Sequence, residues 1–176
     1  MRRHLIIAAV LLAASLGPPA ARAQEQGSLG LGAGLVDPED VPSTFWITAN
    51  YRFGITEHLL LEPEVGYWKK GEDVLGGDVS IEDLQFGLNA IYRLGGSGTG
   101  VRPWAGAGLG VHLLKGVVDF DDSGDFDDTD TEIGIHLLGG ADFVMSDALA
   151  LFAAARFDIV SDLNQFKLYG GVRYRF

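Results

Sequence analysis

The sequence has no cysteine and, after residue 23, no long hydrophobic run. The first absence excludes disulfide bonds and thiolate metal sites in any redox compartment. The second excludes a membrane-spanning helix beyond Ala23, because such a helix needs roughly 18 consecutive apolar residues. If the rest of the chain enters a membrane, it must therefore do so with β-strands.

Basic residues are also scarce, with 13 Lys and Arg against 24 Asp and Glu, giving a formal net charge of −11. So acidic a chain is a poor partner for nucleic acid, which we exclude. Glycine is abundant instead, at 25 of 176 residues, and it disfavours helices. The length corresponds to about one domain. We therefore expect one domain built mainly from strands and turns.

The N-terminus has the pattern of an export signal. Arg2 and Arg3 precede an apolar core from Leu5 to Leu16, and Ala21-Arg22-Ala23 forms a small-x-small cleavage site. We expect residues 1–23 to be a cleaved signal peptide and residues 24–176 to form the mature domain. Cleavage would leave 10 basic residues against 24 acids, a formal charge of −14.

The last twelve residues, QFKLYGGVRYRF, alternate apolar and polar side chains, as a β-strand with two different faces does. Similar alternation recurs along the chain. It predicts eight strands, at 28–36, 44–53, 59–68, 81–94, 101–114, 132–145, 149–159 and 165–176. One face is apolar throughout, whereas the other carries glycines and charges of both signs. A soluble lipid-carrier barrel or a β-sandwich would also alternate in this way, with the apolar face inward.

Three features favour a transmembrane barrel with the apolar face outward. Compact connections (GITEH, GGSGTG, SDA) alternate with mostly longer, acidic ones (DPEDVPS, KKGEDVLGGDV, GVVDFDDSGDFDDTDT), as short periplasmic turns alternate with longer outer loops. The strand lengths suit tilted bilayer crossings. Aromatic residues gather beside the compact turns, where an interfacial girdle would lie. They are Tyr51, Phe53, Tyr92, Tyr174 and Phe176. We therefore predict an all-β, eight-stranded, antiparallel up-and-down transmembrane β-barrel.

The chain resembles the small eight-stranded outer-membrane β-barrels of the OmpA/OmpX type. The residues Tyr169, Gly171, Tyr174 and Phe176 are similar to the C-terminal strand signal by which the barrel-assembly machinery recognises such proteins. The resemblance implies a location in the cell outer membrane, pairing of the last strand with the first, and a monomer. It also implies contact with outer-membrane lipids and lipopolysaccharide, and with periplasmic chaperones during biogenesis.

Charges on the polar face would lie in the lumen, where polar groups are normally paired. We interpret them as an internal ion-pair network that plugs a lumen just wide enough to be filled by side chains. Its predicted members are Arg52, Glu62, Glu64, Asp83, Arg93, Arg102, Arg156 and Asp158. Pro63 and Pro103 lack a backbone donor, so we expect local irregularity in strand pairing there.

These patterns favour a structural role in envelope integrity or surface interaction, and two alternatives remain open. One is a narrow channel for ions or small solutes. The other is a lipid A-modifying enzyme, which would need a serine with a base and an orienting acid. The mature chain offers only His58, His112 and His136 as bases, and neither lumen histidine has a serine nearby in sequence. We therefore predict no catalytic site.

One segment has the spacing of a calcium-binding loop. Its candidate ligands are Asp119, Asp121, Ser123, Asp125, Asp127 and Asp130, with Asp in the last position where Glu is usual and with no flanking helices. A solvated acidic loop is the alternative interpretation. Apart from this Ca²⁺ the sequence predicts no cofactor, since its glycine-rich stretches lack the nucleotide-binding patterns.

Overall fold

The computed structural model describes residues 27–74, 77–95, 100–120, 124–161 and 163–176. These residues form eight β-strands, and none of them forms a helix of the length and apolarity that crossing a bilayer requires. The strands are β1 (Ser28–Pro38), β2 (Thr44–Gly54), β3 (Leu59–Val74), β4 (Gly77–Arg93), β5 (Val101–Phe120), β6 (Gly124–Val144), β7 (Leu149–Val160) and β8 (Gln165–Arg175).

The strands close into a single barrel in which each pairs with its neighbours in sequence. All the pairings are antiparallel. The first and last strands close the ring, from Ser28 opposite Arg175 to Pro38 opposite Gln165. Closure gives every strand two partners, so no sheet edge remains within the ring. The predicted fold class is therefore confirmed.

The two faces of the sheet differ sharply in exposure. Large apolar side chains such as Leu31, Leu109 and Ile135 point outward and are more than half exposed. Charged side chains such as Arg52, Arg156 and Lys167 point inward and are at most 1% exposed. A soluble carrier barrel or a sandwich would have the opposite arrangement. The sheet therefore has the orientation that suits a lipid environment.

Four strands are longer than the sequence pattern predicts. The expected ends of β3 and β5 at residues 68 and 114 are wrong, as are the expected starts of β4 and β6 at residues 81 and 132. The pairing of β3 with β4 continues to Val74 opposite Gly77, and that of β5 with β6 to Phe120 opposite Gly124. Backbone hydrogen bonds do not require an apolar face, so the ladders continue through sequence that no longer alternates between an apolar and a polar face.

The barrel thus has two unlike ends. We call one the short-turn end, where β2–β3, β4–β5 and β6–β7 connect and where the described chain begins and ends. We call the other the hairpin end, where the β3–β4 and β5–β6 hairpins extend. The ladder between β2 and β3 runs to Asn50 opposite Glu64 and resumes at Phe53 opposite Leu61, so Pro63 lies beside the expected interruption. Pro103, in contrast, keeps its pairing with Ala141.

Glycine is required where Trp46 fills the lumen. A Cβ atom on Gly66 would overlap the ring of Trp46, which is fully buried and cannot withdraw into solvent. We expect Gly66→Ala to lower the free energy of unfolding by about 1–3 kcal/mol, as overpacking of a filled interior does. Urea titration of protein folded into phospholipid vesicles measures this loss.

Gly71→Ala is the matched control, because a Cβ there would meet its nearest neighbour, Ser80 Cβ, at 3.7 Å, an ordinary contact. We expect its stability to stay within about 0.5 kcal/mol of the wild type, the range usual for surface substitutions. Similar losses for the two variants would show that the loss does not come from the space beside Trp46.

Candidate functional site in the barrel lumen

The half of the lumen towards the hairpin end contains a fully buried charge cluster centred on Arg156. Its guanidinium donates through Nη1 to Glu64 and through Nε to Asp158, the latter at 2.5 Å. Lys167 Nζ donates to the other Asp158 oxygen at 2.5 Å and to Gln85 Oε1 at 2.7 Å. Two cations and two carboxylates therefore neutralise one another inside the barrel.

Next to this cluster, Asp83 is the centre of a second polar group. Its Oδ2 atom lies 2.8 Å from His112 Nδ1 and accepts a hydrogen bond from Gln165 Nε2 at 2.9 Å. Gln165 Oε1 in turn accepts a hydrogen bond from Trp68 Nε1 at 3.2 Å. All four side chains are buried. Aromatic rings thus share the lumen with the charged groups.

The half of the lumen towards the short-turn end has its own network. Arg52 Nη2 lies 2.7 Å from Glu62 Oε2, and Arg52 Nη1 lies 3.2 Å from Asp142 Oδ2. Arg173 Nη2 approaches Glu62 at 3.3 Å, and Arg173 Nε approaches Asp142 Oδ1 at 3.6 Å. The guanidinium of Arg52 also lies 4.6 Å from the centre of the Trp104 ring. Two arginines and two carboxylates alternate here, with an aromatic wall beside them.

Several of these bonds join opposite walls of the barrel. Arg52 to Asp142 joins β2 to β6, Arg156 to Glu64 joins β7 to β3, and Lys167 to Gln85 joins β8 to β4. In a ring of eight strands, a partner four strands away lies diametrically across. Side chains from facing walls therefore meet near the barrel axis at several levels.

The structure brings six of the eight predicted lumen residues into these contacts. Arg52 meets Glu62, Arg156 meets Glu64 and Asp158, and Asp83 meets His112. The other two, Arg93 and Arg102, are half-buried at the short-turn end. The predicted network omits three buried lumen charges that belong to it, Lys167, Arg173 and Asp142. The position of Asp142 next to outward-facing Phe143 was the signal that could have identified it.

The two lumen histidines are held by polar partners. His136 Nε2 lies 3.1 Å from Gln85 Nε2, and His136 Nδ1 lies 3.4 Å from Asn89 Oδ1. The rings of His112 and His136 meet edge to face, 5.8 Å apart. In the described part of the chain, neither imidazole contacts a serine hydroxyl. The geometry therefore assembles no serine-histidine pair at these residues.

The predicted calcium ligands fall largely outside the described side chains. Residues 121–123, which include Asp121 and Ser123, lie outside the described residues, as do the side chains of Asp119, Asp125 and Asp127. The backbones of Asp119 and Asp125 pair across the β5–β6 ladder, and Asp130 is exposed on β6. Among the described residues, no three His, Asp or Glu side chains are placed to hold a metal ion. The calcium site remains a prediction.

The four residues of the predicted C-terminal signal lie on β8 and just after it. Tyr169 is buried in the lumen with its ring edge-to-face to Phe152, whereas Tyr174 and Phe176 are exposed on the outer face. The rings of Tyr51 and Phe176 stack with centroids 6.3 Å apart, and Tyr51 also stacks on Phe53. The short-turn end thus carries an aromatic cluster on its outer face, where an interfacial girdle would lie.

Comparison with known proteins gives one family match. The family model of the outer membrane protein β-barrel domain matches residues 6–176 of the chain. No curated protein sequence is significantly similar to it.

Several solved structures have the same architecture. Neisserial surface protein A superimposes with a TM-score of 0.66 at 21% identity, covering 88% of this chain and 100% of its own. OprG from Pseudomonas aeruginosa gives 0.64 at 13% identity, with coverage of 87% and 97%. Ail from Yersinia pestis, solved with the heparin analogue sucrose octasulfate, gives 0.62 at 13% identity, with coverage of 87% and 98%. At these identities the likeness concerns the fold alone.

Proposed function

Because the chain belongs to the outer membrane protein β-barrel family, we propose that it is a structural outer-membrane protein whose lumen is closed by side chains and whose outer hairpins contact partners at the cell surface. The observation that carries the first half of this proposal is the set of hydrogen bonds between opposite walls. Each such bond occupies the space near the axis through which a solute would have to pass.

Burial of the lumen side chains supports the same conclusion. Six charged side chains of the lumen are at most 1% exposed, although their charges would attract water in an open channel. They are Arg52, Glu62, Asp83, Arg156, Asp158 and Lys167. Burying a charge is unfavourable unless it is paired and hydrogen-bonded, and the contacts above supply those partners. An eight-stranded barrel is also just narrow enough for side chains to fill its interior.

The second half of the proposal rests on the extended hairpins. The β2–β3 ladder ends at Trp46 opposite Trp68, and the β6–β7 ladder ends at Gly134 opposite Val160. In the described residues, β3, β4, β5 and β6 continue beyond these points as a four-stranded sheet. This sheet gives the barrel a surface that projects past the shorter strands, on the side where outer loops lie in such proteins.

The charge of the projecting sheet restricts its partners. From Asp119 to Glu132 the sequence contains eight acidic residues and no basic one. Such a surface repels polyanions, so we do not expect this chain to share the sulfated ligand with which Ail was solved. A partner with a basic surface suits the sheet better, and its association would weaken as salt is added.

Single-channel recording tests the closed lumen. We expect refolded protein in a planar bilayer to show no reproducible discrete openings at any voltage that the bilayer tolerates. Reproducible openings of the wild-type protein would contradict the proposal and favour a narrow channel. The double variant Glu64→Ala/Arg156→Ala serves as the positive control. It removes a bond between opposite walls, so we expect openings in the variant.

A further inference from the structure

The outer face of the barrel carries an apolar groove over β1, β2 and β3. Its volume is about 360 Å³, within the usual range of about 300–1,000 Å³ for small-molecule sites. Ala49 lies in the groove between Leu31 and Val65, which flank it in one row of the sheet, and both neighbours have larger side chains. Outward-facing Ile47 and Tyr67 line the groove in the next row. The groove therefore opens to the lipid side of the barrel.

The groove runs from the middle of the membrane towards its outer surface. β3 begins at Leu59 at the short-turn end, and a tilted crossing takes about 9–11 residues, so the crossing ends near Lys69. Val65 consequently lies near the midplane, and Tyr67 lies in the half towards the hairpin end. In the orientation that the short turns indicate, this half is the outer leaflet. An acyl chain of an outer-leaflet lipid spans the same interval, from its headgroup to the midplane.

A lysine lies at the outer end of the groove. Lys69 follows Tyr67 by two positions on the same face of β3, about 7 Å further along the strand, and its side chain is 51% exposed. The Nζ atom of Lys69 is 3.9 Å from Glu82 Oε2, which is a loose ion pair. An ammonium group carries three donors, so Lys69 can contact a further anion at the level of the headgroups.

Glu82 holds the outer end of the groove in place. Its Oε2 atom accepts a hydrogen bond from the Tyr67 hydroxyl at 2.8 Å, which fixes the tyrosine ring at the edge of the groove. Lys115 faces Glu82 from β5, so the carboxylate keeps a cation beside it when Lys69 contacts a lipid. The backbone of Lys69 is tied to β2, because Thr44 Oγ1 donates to the Lys69 carbonyl oxygen at 2.9 Å. The tyrosine and the lysine are thus positioned before any lipid binds.

We propose that the groove and Lys69 bind lipid A, the phosphorylated and acylated anchor of lipopolysaccharide, with one acyl chain over Ala49 and one phosphate on Lys69. Lipid tails are as apolar as the groove, so the chain is held by van der Waals contact with the side chains around Ala49. The ammonium of Lys69 binds the phosphate as a point charge. The site rests on the membrane orientation of the proposed function, but it does not depend on a closed lumen.

Native mass spectrometry of the full barrel, refolded in octyl glucoside, counts the lipid A molecules that each barrel retains. We expect one saturable molecule with a dissociation constant of about 10 μM or lower. Ala49→Phe fills the groove with an apolar ring and should weaken this binding at least about tenfold. Ala153→Phe is the matched control, because Ala153 is exposed on β7, outside the groove. Its affinity should stay within about twofold of the wild type.

Lys69→Gln tests the phosphate contact. We expect it to weaken lipid A binding at least about tenfold, because glutamine cannot supply the charge. Lys70→Gln removes the same charge from the next residue, on the opposite face of β3, and should stay within about twofold of the wild type. A loss in only one of Ala49→Phe and Lys69→Gln would overturn the proposal, because chain and phosphate belong to one ligand.

Circular dichroism establishes that each variant is folded before it is measured. Should Ala49→Phe fail to fold, Ala49→Leu replaces it, because leucine also fills the groove, and we expect the same direction of change. Failure of the wild-type protein to retain lipid A would overturn the proposal. Each of these results is independent of channel recording, so the groove and the closed lumen can fail separately.

Two other occupants of the groove are distinguished in the same spectra. Phosphatidylglycerol has a phosphodiester with a single charge, so we expect it to bind more weakly than lipid A. Equal affinity for the two lipids would overturn the assignment to lipid A. A dimer of the wild-type protein that Ala49→Phe abolishes would assign the groove to a second copy of the chain, and would likewise overturn the proposal.

Discussion

Replacing Arg156 with leucine is expected to lower the free energy of unfolding by about 3–5 kcal/mol, the usual loss when one member of a buried ion pair is removed. Arg156 contacts both Glu64 and Asp158, and all three side chains are buried. Without the guanidinium, Asp158 keeps Lys167, but the Glu64 carboxylate loses its cation while remaining out of water. Urea titration in phospholipid vesicles measures the loss.

Two further variants show whether the unpaired, buried carboxylate of Glu64 causes the loss of stability. Arg156→Leu/Glu64→Leu removes both charges of the pair, so we expect it to recover at least half of the stability lost by the single variant. Lys69→Leu removes a cation from an exposed pair, in which Nζ lies 3.9 Å from Glu82, and should cost no more than about 1 kcal/mol. Equal losses for the single and the double variant would mean that Arg156 acts by packing, not by charge.

The second large effect concerns the outer face. Leu88 lies five positions before the end of β4 at Arg93, and a crossing takes about 9–11 residues, which places it near the membrane midplane. We expect Leu88→Arg to lower the free energy of unfolding in phospholipid vesicles by about 2–4 kcal/mol, because the arginine must enter hydrocarbon.

Tyr92→Arg is a close control on the same strand. Leu88 and Tyr92 point to the same face and are both 52% exposed, but Tyr92 lies at the short-turn end among the interfacial residues. An arginine there reaches water and headgroups, so its cost should be about 0–1 kcal/mol. Losses of equal size would show that the apolar belt does not lie where the barrel geometry places it.

The faces of the barrel could be predicted from the sequence, whereas the pairs inside it could not. A period of two assigns each residue to a face, and burial of Glu62, Glu64 and Asp158 follows from that assignment. Which charge meets which depends on the stagger of the closed sheet. Arg52 reaches Asp142, 90 positions away, because tilt and stagger bring their walls to the same level.

The tryptophans of the lumen were missed for a different reason. Trp46, Trp68 and Trp104 occupy inward-facing positions. The lumen was expected to be polar, so large apolar rings were not predicted there. The structure explains their presence through the cations beside them. Lys167 Nζ lies 4.0 Å from the centre of the Trp46 ring, and such a cation and ring attract each other. The face of a tryptophan ring therefore serves as a second partner for a lumen cation, beside the carboxylates.

The extensions of β3, β4, β5 and β6 were not predicted, because alternation marks only those parts of a strand whose two faces differ in polarity. In the segment from Lys69 to Val79, polar residues occupy both faces, so the period of two disappears while the ladder persists. Pattern reasoning detects where a sheet meets lipid or a filled lumen. It cannot detect where a sheet continues with the same surroundings on both sides.

The bonds between opposite walls also constrain the order in which the barrel can form. They join residues 82 to 92 positions apart, such as Gln85 with Lys167 and Glu64 with Arg156. The Glu64 carboxylate on β3 meets its cation only when Arg156 on β7 arrives, and Asp158 on β7 gains Lys167 only with β8, the last strand. A chain inserted strand by strand would carry unpaired charges into the bilayer, and contacts of such long range are slow to form. Closing the ring and neutralising its interior are therefore one cooperative event. We expect an intermediate that lacks the final strand to be unstable.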